Sequence, residues 1–388
     1  MSSAIVDIRV HPISVPLARP FWMSLEPYTA AAEIVVEIET EEGHVGIGEI
    51  HGRPQAEIVR ILGHFRTLLV GEDAIDHASL YEKLFRTTFS RESARFAAAE
   101  GQPHFGAGAA PQMMAAIAGI DIALHDLKAK RAGLPLYRVL GGRRAAVRAY
   151  ASGGYYGPEG EAAVEGLVEE MTGYWELGFT AVKLKVGGLP LEDDLARVRA
   201  VREALPEVDI MLDANSAYDV PTAVVAARAF EPFEIAWLEE PVAWFDPVFG
   251  LARLGATTSI PLASGERELH LFGCRDLIDH TPIRFMQFDC TRAGGVSEWL
   301  RVAAYGSAHG VLMAPHHDPQ IHGHLVAAAD NGYILEVFPN PVRDPLWSAL
   351  FTEQPQVIGG EVILTDSPGL GVLLDHEFVE RHRTPVEV

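Results

Sequence analysis

The chain has 388 residues, 48% of them hydrophobic, and a formal net charge of −22 at pH 7. That apolar content excludes global disorder, and the acidic balance argues against nucleic acid and anionic membranes, which call for a basic face. A site for an anionic substrate would need local cations, or a metal, set against this global field. Two cysteines, Cys274 and Cys290, cannot build a disulfide scaffold. The N-terminus shows no signal pattern, and no run reads as a membrane span. A soluble, cytoplasmic protein is expected.

The first third reads as α+β. Ile5–Val10 partly alternates, and Ile34–Thr40 and Val45–Glu49 flank the short turn Glu41–His44, which predicts a hairpin. Between them, Pro20–Tyr28 reads as an aromatic, proline-bounded loop. Helical patterns run from about 54 to 133, clearest over Met113–Lys128. Near residue 146 the texture changes to alternating strands and helices. Apolar runs end in or near an ionisable residue at Lys185, Asp213, Glu239, Glu266, Asp289, His316 and Glu336, spaced roughly 20–30 residues apart. The stretches between are amphipathic, as in Leu191, Leu195, Val198, Val201 and Leu205. With a first strand at Val147–Ala151, these make the eight strands of a TIM barrel. An open doubly wound sheet is the alternative, but Gly141-Gly142 and Gly187-Gly188 do not form a dinucleotide-binding turn.

Barrel active sites lie at the C-terminal strand ends, so the seven ionisable residues would ring one mouth. Asp213, Glu239 and Glu266 fall on consecutive strands, where three converging carboxylates would repel without a cation. All-oxygen ligation suits Mg²⁺ or Mn²⁺ rather than Zn²⁺. Glu240 competes with Glu239, since adjacent strand residues point to opposite faces. Lys183 and Lys185 share a face, and two ammonium groups there would depress each other's pKa and ready one as a general base. Asp289 and His316 end neighbouring strands, where the carboxylate would fix the imidazole tautomer. No G-x-S-x-G elbow signals a serine hydrolase. The run His316–His324 has no nearby cysteine, so zinc is not expected, and His317, His322 and His324 read as structural or exposed.

These residues resemble the enolase superfamily, and within it the mandelate racemase group. The likeness runs through Gly119–Leu127, Leu140-Gly141-Gly142, Lys183-Leu184-Lys185, Leu212-Asp213-Ala214-Asn215, Leu238-Glu239-Glu240-Pro241 and Ser264-Gly265-Glu266, and ends with Asp289, His316 and Glu336. It implies an α/β protein: a modified TIM barrel over 143–350, with an α+β N-terminal capping domain over 1–130 completed by the C-terminal tail, 355–388. It implies one Mg²⁺ on Asp213, Glu239 and Glu266, and Lys185 as a base tuned by Lys183. His316 with Asp289 would serve the opposite face of the substrate. Glu336 would donate a hydrogen bond to the substrate carboxylate, and Asn215 would lie close by. Substrate would be read by cap loops carrying Phe21, Trp22, Met23, Leu25 and Tyr28, and by His51 and Arg53 on a second loop.

The implied chemistry is removal of a proton α to a carboxylate, giving an enediolate. Expulsion of a β-hydroxyl would make the protein an acid-sugar dehydratase. Return of the proton to carbon would make it a racemase or epimerase, and a lactone cycloisomerase also fits. A non-catalytic acid-binding barrel should have lost Lys185, Asp289 or His316, and none is missing. The expected partners are a small carboxylate substrate and further copies of the chain, with no nucleic acid and no membrane.

Overall fold

The computed structural model describes residues 3–89, 95, 105–157 and 163–386. Three antiparallel strands come first: β1 (Ile5–Trp22), β2 (Pro27–Thr40) and β3 (Val45–Ile50). The β1–β2 ladder runs further than the alternation suggested. Phe21 pairs with Tyr28 and Trp22 with Pro27, beyond a register shift after Pro16. The expected loop over Pro20–Tyr28 is therefore only a turn, closed by Met23 N–H donating to Glu26 O at 2.9 Å. Pro20 is tolerated because β1 lies at the sheet edge, and Pro27 because it is the first residue of β2.

Helices α1 (Gln55–Leu69), α2 (His77–Arg86) and α3 (Ala110–Ala132) cover this sheet. Of the helical stretch expected over 54–133, positions 90–94 and 96–104 lie outside the described residues. The segment Ala107–Ala132 is long and apolar enough to match a membrane span by composition, contrary to the reading of the sequence. In the fold α3 is instead the central helix of the cap, buried on nearly every side from Met113 to Leu127. It lies so close to β3 that Gly48 and Gly119 face each other, and a Cβ at Gly48 would collide with the Gly119 carbonyl oxygen.

The barrel comprises β4 (Ala146–Ser152), β5 (Ala181–Lys185), β6 (Asp209–Asp213), β7 (Trp237–Glu239), β8 (Leu262–Ser264), β9 (Ile283–Met286), β10 (Leu312–Met313) and β11 (Leu335–Val337). The ladders between neighbours from β4 to β10 are all parallel, and β11 returns to pair with β4. Tyr333 N–H donates to Met313 O at 2.9 Å and closes the circle. Tyr150, Ala181, Met211, Trp237, Ala263, Phe285, Ala314 and Ile334 fill the interior.

The tail divides. Strands β12 (Gln356–Ile358) and β13 (Glu361–Ile363) form a hairpin that adds antiparallel to the N-terminal half of β4. Further on the chain engages the first sheet and its helices, as the short helix Pro345–Ala349 already does before the hairpin. Leu370 N–H donates to Asp126 on α3, the helix His376–His382 lies against β1, and Thr384 N–H donates to Pro12 O. Residues 355–388 thus do not all return to the cap, because Glu361–Ile363 pair with Ala146–Arg148 of β4 and bury Val362 in the core outside the barrel interior.

Candidate active site

Each barrel strand sends alternate residues inward, and this two-residue period builds the site. Along β5, Val182 and Leu184 join the outer core while Ala181 joins the interior cluster. Lys183 and Lys185, in phase with Ala181, therefore enter the mouth. Met211 and Asp213 on β6, and Trp237 and Glu239 on β7, follow the same rule. Lys185, Asp213 and Glu239 are in register across three strands.

Lys183 Nζ lies 2.7 Å from Glu239 Oε1 and 2.7 Å from Glu336 Oε1, and donates to the Tyr150 hydroxyl at 3.3 Å. Lys185 donates to Asp213 Oδ2. Asp213 also accepts from Asn215, through the backbone N–H at 2.8 Å and Nδ2 at 3.1 Å. Trp237 Nε1 donates to Glu239 Oε2 at 3.0 Å. Glu240, just past the strand at φ 39°, turns away and accepts from Arg267. Of the two glutamates, Glu239 therefore faces the mouth.

The mutual depression expected of the two lysines is outweighed here. Burial works against both ammonium groups, but Glu239 and Glu336 hold Lys183 well above its ordinary pKa, and Asp213 holds Lys185 up. Burial and the Asp213 charge push Glu239 well above the carboxylate range. Burial would raise Glu336 too, but Lys183 and His316 outweigh it and hold the group down. Glu336 accepts from Lys183 and from His317 N–H at 3.2 Å. The expected donation to a substrate carboxylate therefore requires Glu336 to gain a proton first.

Across the mouth, His316 Nδ1 lies 2.9 Å from Asp289 Oδ2, leaving Nε2 3.8 Å from Glu266 Oε2. Asp289 Oδ1 accepts from the Thr291 N–H and hydroxyl. Burial would raise Asp289, but its bond to His316 holds it far below the usual range. Glu266 is also paired with Arg292 Nη1 at 3.2 Å. His322 and His324 are buried and structural: each joins two backbone segments through its two ring nitrogens.

Asp213 and Glu239 end adjacent strands and Glu266 lies just past the end of the next, and burial together with the Asp213 charge raises the pKa of Glu239. An all-oxygen donor set of this kind fits Mg²⁺. Asp213, Glu239 and Glu266 would hold it, with Asn215 and Arg292 orienting two of them.

A cavity of about 410 Å³ opens above these groups. Lys185, Asn215, Glu266, His316, Glu336 and His51 line it, while Lys183, Asp213, Glu239 and Asp289 lie behind that lining. The cap contributes Met23, Glu26, Tyr28 and Arg53. Trp22, expected to touch substrate, does not line the cavity. Its backbone pairs with Tyr156, and the residue is 36% exposed. The alternating end of β1 turns Trp22 away while the turn at Met23–Glu26 reaches in. Tyr155, Arg292, Phe338 and Arg343 also line the cavity and were not anticipated. Their one signal in the sequence is position, just past the ends of barrel strands. His51, His317 and Asp318 bring ligand-capable atoms within 4.8 Å of one another. Asp318 and Glu33 already engage these imidazoles.

The sequence matches the mandelate racemase/muconate lactonizing enzyme N-terminal domain over residues 5–141 and the enolase C-terminal domain-like family over 166–378. The chain belongs to the mandelate racemase group of the enolase superfamily. It is 34% identical to the L-talarate/galactarate dehydratase of Salmonella typhimurium over 91% of this chain and 83% of that protein. It is 30% identical to the D-galactarolactone cycloisomerase of Agrobacterium fabrum over 98% and 99%. The crystal structure of the Salmonella dehydratase with Mg and L-lyxarohydroxamate superposes with a TM-score of 0.86, at 31% identity over 99% of this chain and 94% of that one. Magnesium is the metal of this fold in that structure and in that of a Streptomyces coelicolor racemase.

Proposed function

We propose that this protein is a Mg²⁺-dependent lyase. It removes the proton α to a carboxylate, through an enediolate, and dehydrates a sugar acid to a 2-keto-3-deoxy acid. The observation that carries this reading is the placement of Lys185 and of His316, oriented by Asp289, on one cavity whose wall includes Glu266.

Asp213, Glu239 and Glu266 hold the cation. Bound there, Mg²⁺ supplies Lewis-acid polarisation of the substrate carboxylate. With Asp213 committed to a cation, the neighbouring Lys183 ammonium favours the neutral amine of Lys185. Lys185 Nζ then takes the α-proton. Asp289 holds His316 Nδ1, so Nε2 is the nitrogen that delivers a proton to the β-hydroxyl. The C–O bond breaks, water leaves, and the resulting enol tautomerises to the 2-keto acid. The cap wall excludes bulk water from the charges that develop.

The 30% identity to a cycloisomerase across almost the whole chain favours a second reading on the same machinery. There the α-proton leaves to Lys185, the ring C–O bond of a lactone breaks with its oxygen departing as a carboxylate, and His316 returns a proton to carbon. Screening sugar acids for 2-keto products in ²H₂O separates the two: the dehydratase makes keto acid, whereas an isomerase only exchanges or rearranges. Neither product nor exchange from any acid would refute both readings.

The proposal also holds the protein to be cytoplasmic and homo-oligomeric. Two buried, unpaired cysteines support the first. Trp244, Phe245 and Phe249, each more than half exposed, support the second. Sedimentation of the purified protein tests the oligomer.

A further inference from the structure

Lys185 is the last residue of β5, where the ladder to β4 has already ended. The β4–β5 register stops at Ser152 and Lys183, and Lys185 N–H reaches Gly154 O only at 3.4 Å. A bond that long holds weakly. Arg197, from the helix Leu191–Ala204, bridges the gap. Its Nη1 donates to Lys185 O at 2.8 Å and its Nη2 to Gly154 O at 2.6 Å. One guanidinium thus spans the carbonyls of both strand ends. On the other side β6 holds the same stretch, through Val186 N–H donating to Asp213 O at 2.9 Å. Arg197 is 2% exposed and does not line the cavity.

Asp194, three residues earlier on that helix and fully buried, holds the guanidinium in place. Its Oδ1 accepts from Arg197 Nη1 at 3.2 Å and from the Tyr156 hydroxyl at 2.9 Å, and its Oδ2 accepts from Gly187 N–H at 2.6 Å. The Arg197 guanidinium carbon lies 4.4 Å from the centroid of the Tyr156 ring. The Tyr156 backbone exchanges two hydrogen bonds with Trp22, at 3.1 and 3.0 Å, and Ser24 Oγ donates to Val186 O at 2.6 Å. The two loops knitted by Arg197 and Asp194 therefore also carry the cap turn that brings Met23 and Glu26 to the cavity. A buried ion pair adds little net stability over apolar packing of the same volume, and Val198 and Val201 already anchor the helix in that way. What a planar fork supplies is geometry, two donors at a fixed spacing.

We propose that Arg197 is a positioning residue for Lys185: by clamping Lys185 O to Gly154 O, it sets where Nζ stands relative to the α-carbon of a substrate seated under the cap turn. Asp194 and Tyr156 hold the clamp. This rests on the proposed role of Lys185 as the base that removes the α-proton. Among the described residues Arg197 donates to none of Asp213, Glu239 and Glu266, so the clamp acts on the base and not on the cation site. A displacement of about 1 Å at a reacting group costs about 10²-fold in rate.

The test uses the full-length protein with Mg²⁺ and a panel of hexaric and hexonic acids. The acid that the wild type exchanges fastest at its α-carbon in ²H₂O serves as the probe throughout. Turnover, ²H exchange and calorimetric Mg²⁺ Kd are measured for the wild type, Arg197→Met and Arg197→Lys. Arg197→Met should lower kcat and exchange by about 10²-fold, with KM and the Mg²⁺ Kd close to wild type. Arg197→Lys keeps the charge beside Asp194 and a donor for one carbonyl, but not the fork. It should recover part of the lost rate, and its intermediate loss serves as the test if the methionine variant does not fold. In the His316→Asn background, where the remaining exchange belongs to Lys185, Arg197→Lys should lower exchange by the same factor as in the wild type. A purely structural role predicts instead that KM and Mg²⁺ Kd worsen along with kcat, and that result overturns the proposal. Unchanged rates in the folded variants also overturn it, in either background, and leave Lys185 standing as the base. Exchange already absent from His316→Asn, or from the wild type with every acid, would refute Lys185 as the base, and the proposal falls with it.

Discussion

His316 Nδ1 and Asp289 Oδ2 face each other at 2.9 Å, just beyond the ends of the seventh and sixth barrel strands. The bond turns Nε2 toward Glu266 and so toward the cation site. Lys185 lies on the second strand. A substrate held between them presents one face to each.

The division of labour between these groups can be measured. His316→Asn should lower water loss by about 10²–10⁴-fold while sparing ²H exchange at the α-carbon, since Lys185 still removes that proton. Lys185→Ala should stop both. Retained exchange in Lys185→Ala, together with lost exchange in His316→Asn, would reverse the assigned roles. Normal turnover in both variants would refute the site.

Metal dependence centres on Glu239, which already accepts from Lys183 and Trp237. Glu239→Gln keeps the shape and loses a ligand charge. Mg²⁺ affinity should fall by about 10–100-fold or more and turnover should vanish, with the far-UV spectrum unchanged. Chelator should abolish wild-type activity, and full activity in excess chelator would sink the assignment.

The pair His317–Asp318 predicts how stability changes with pH. Burial disfavours the His317 imidazolium, but Asp318, 2.7 Å away, raises it from 6.5 to about 9. A group raised in the folded state stabilises fully below its unfolded pKa and loses that contribution as pH passes the folded value. Stability should therefore fall between about pH 6.5 and 9, by at most on the order of 3 kcal/mol from this group. Glu49, raised to about 8 by burial and Asp318, acts in the same direction. Urea midpoints at pH 6.5, 7.5 and 9 test this, with a shallower slope expected in His317→Gln. A wild-type midpoint that stays flat or rises would contradict it.

The contact between β3 and α3 predicts the effect of a single methyl group. In Gly48→Ala the new Cβ meets the backbone oxygen of Gly119, which cannot rotate aside. The strand and helix must separate, at a cost of about 1–3 kcal/mol or more. Gly63→Ala, with nothing near its Cβ, is the control and should not destabilise. Denaturant unfolding of the two variants compares them directly, and equal midpoints would show that the close approach is not stabilising.

The ring from Lys185 to Glu336 was legible in the sequence because a parallel barrel leaves a local signature. Its strands are short apolar runs, inward residues alternate with period two, and functional groups collect at one end of each strand. Chemical identity at those ends carried the reading of Asp213, Glu239 and Glu266 as oxygen ligands and of Asp289 with His316 as an oriented pair. None of this needed long-range coordinates, since each strand fixes its own phase.

What depended on distant segments was decided only by the tertiary structure. Trp22 and Met23 are neighbours, yet only Met23 reaches the cavity, because the pleat and turn of β1–β2 set which side chain points inward. The tail splits between barrel and cap because Val362 pairs with Val147 on β4 whereas Leu370 N–H donates to Asp126 on α3. Lys183 and Lys185 are raised in pKa rather than lowered, because the sum of surrounding charges outweighs their mutual repulsion. Arg343 lies in a proline-rich loop without periodicity, and only the folded chain sets its guanidinium against the Tyr28 ring of the cap. Propensity and alternation are short-range and can be read along the chain. Electrostatic balance and cavity shape are sums over segments brought together by folding, and no local stretch of sequence contains them.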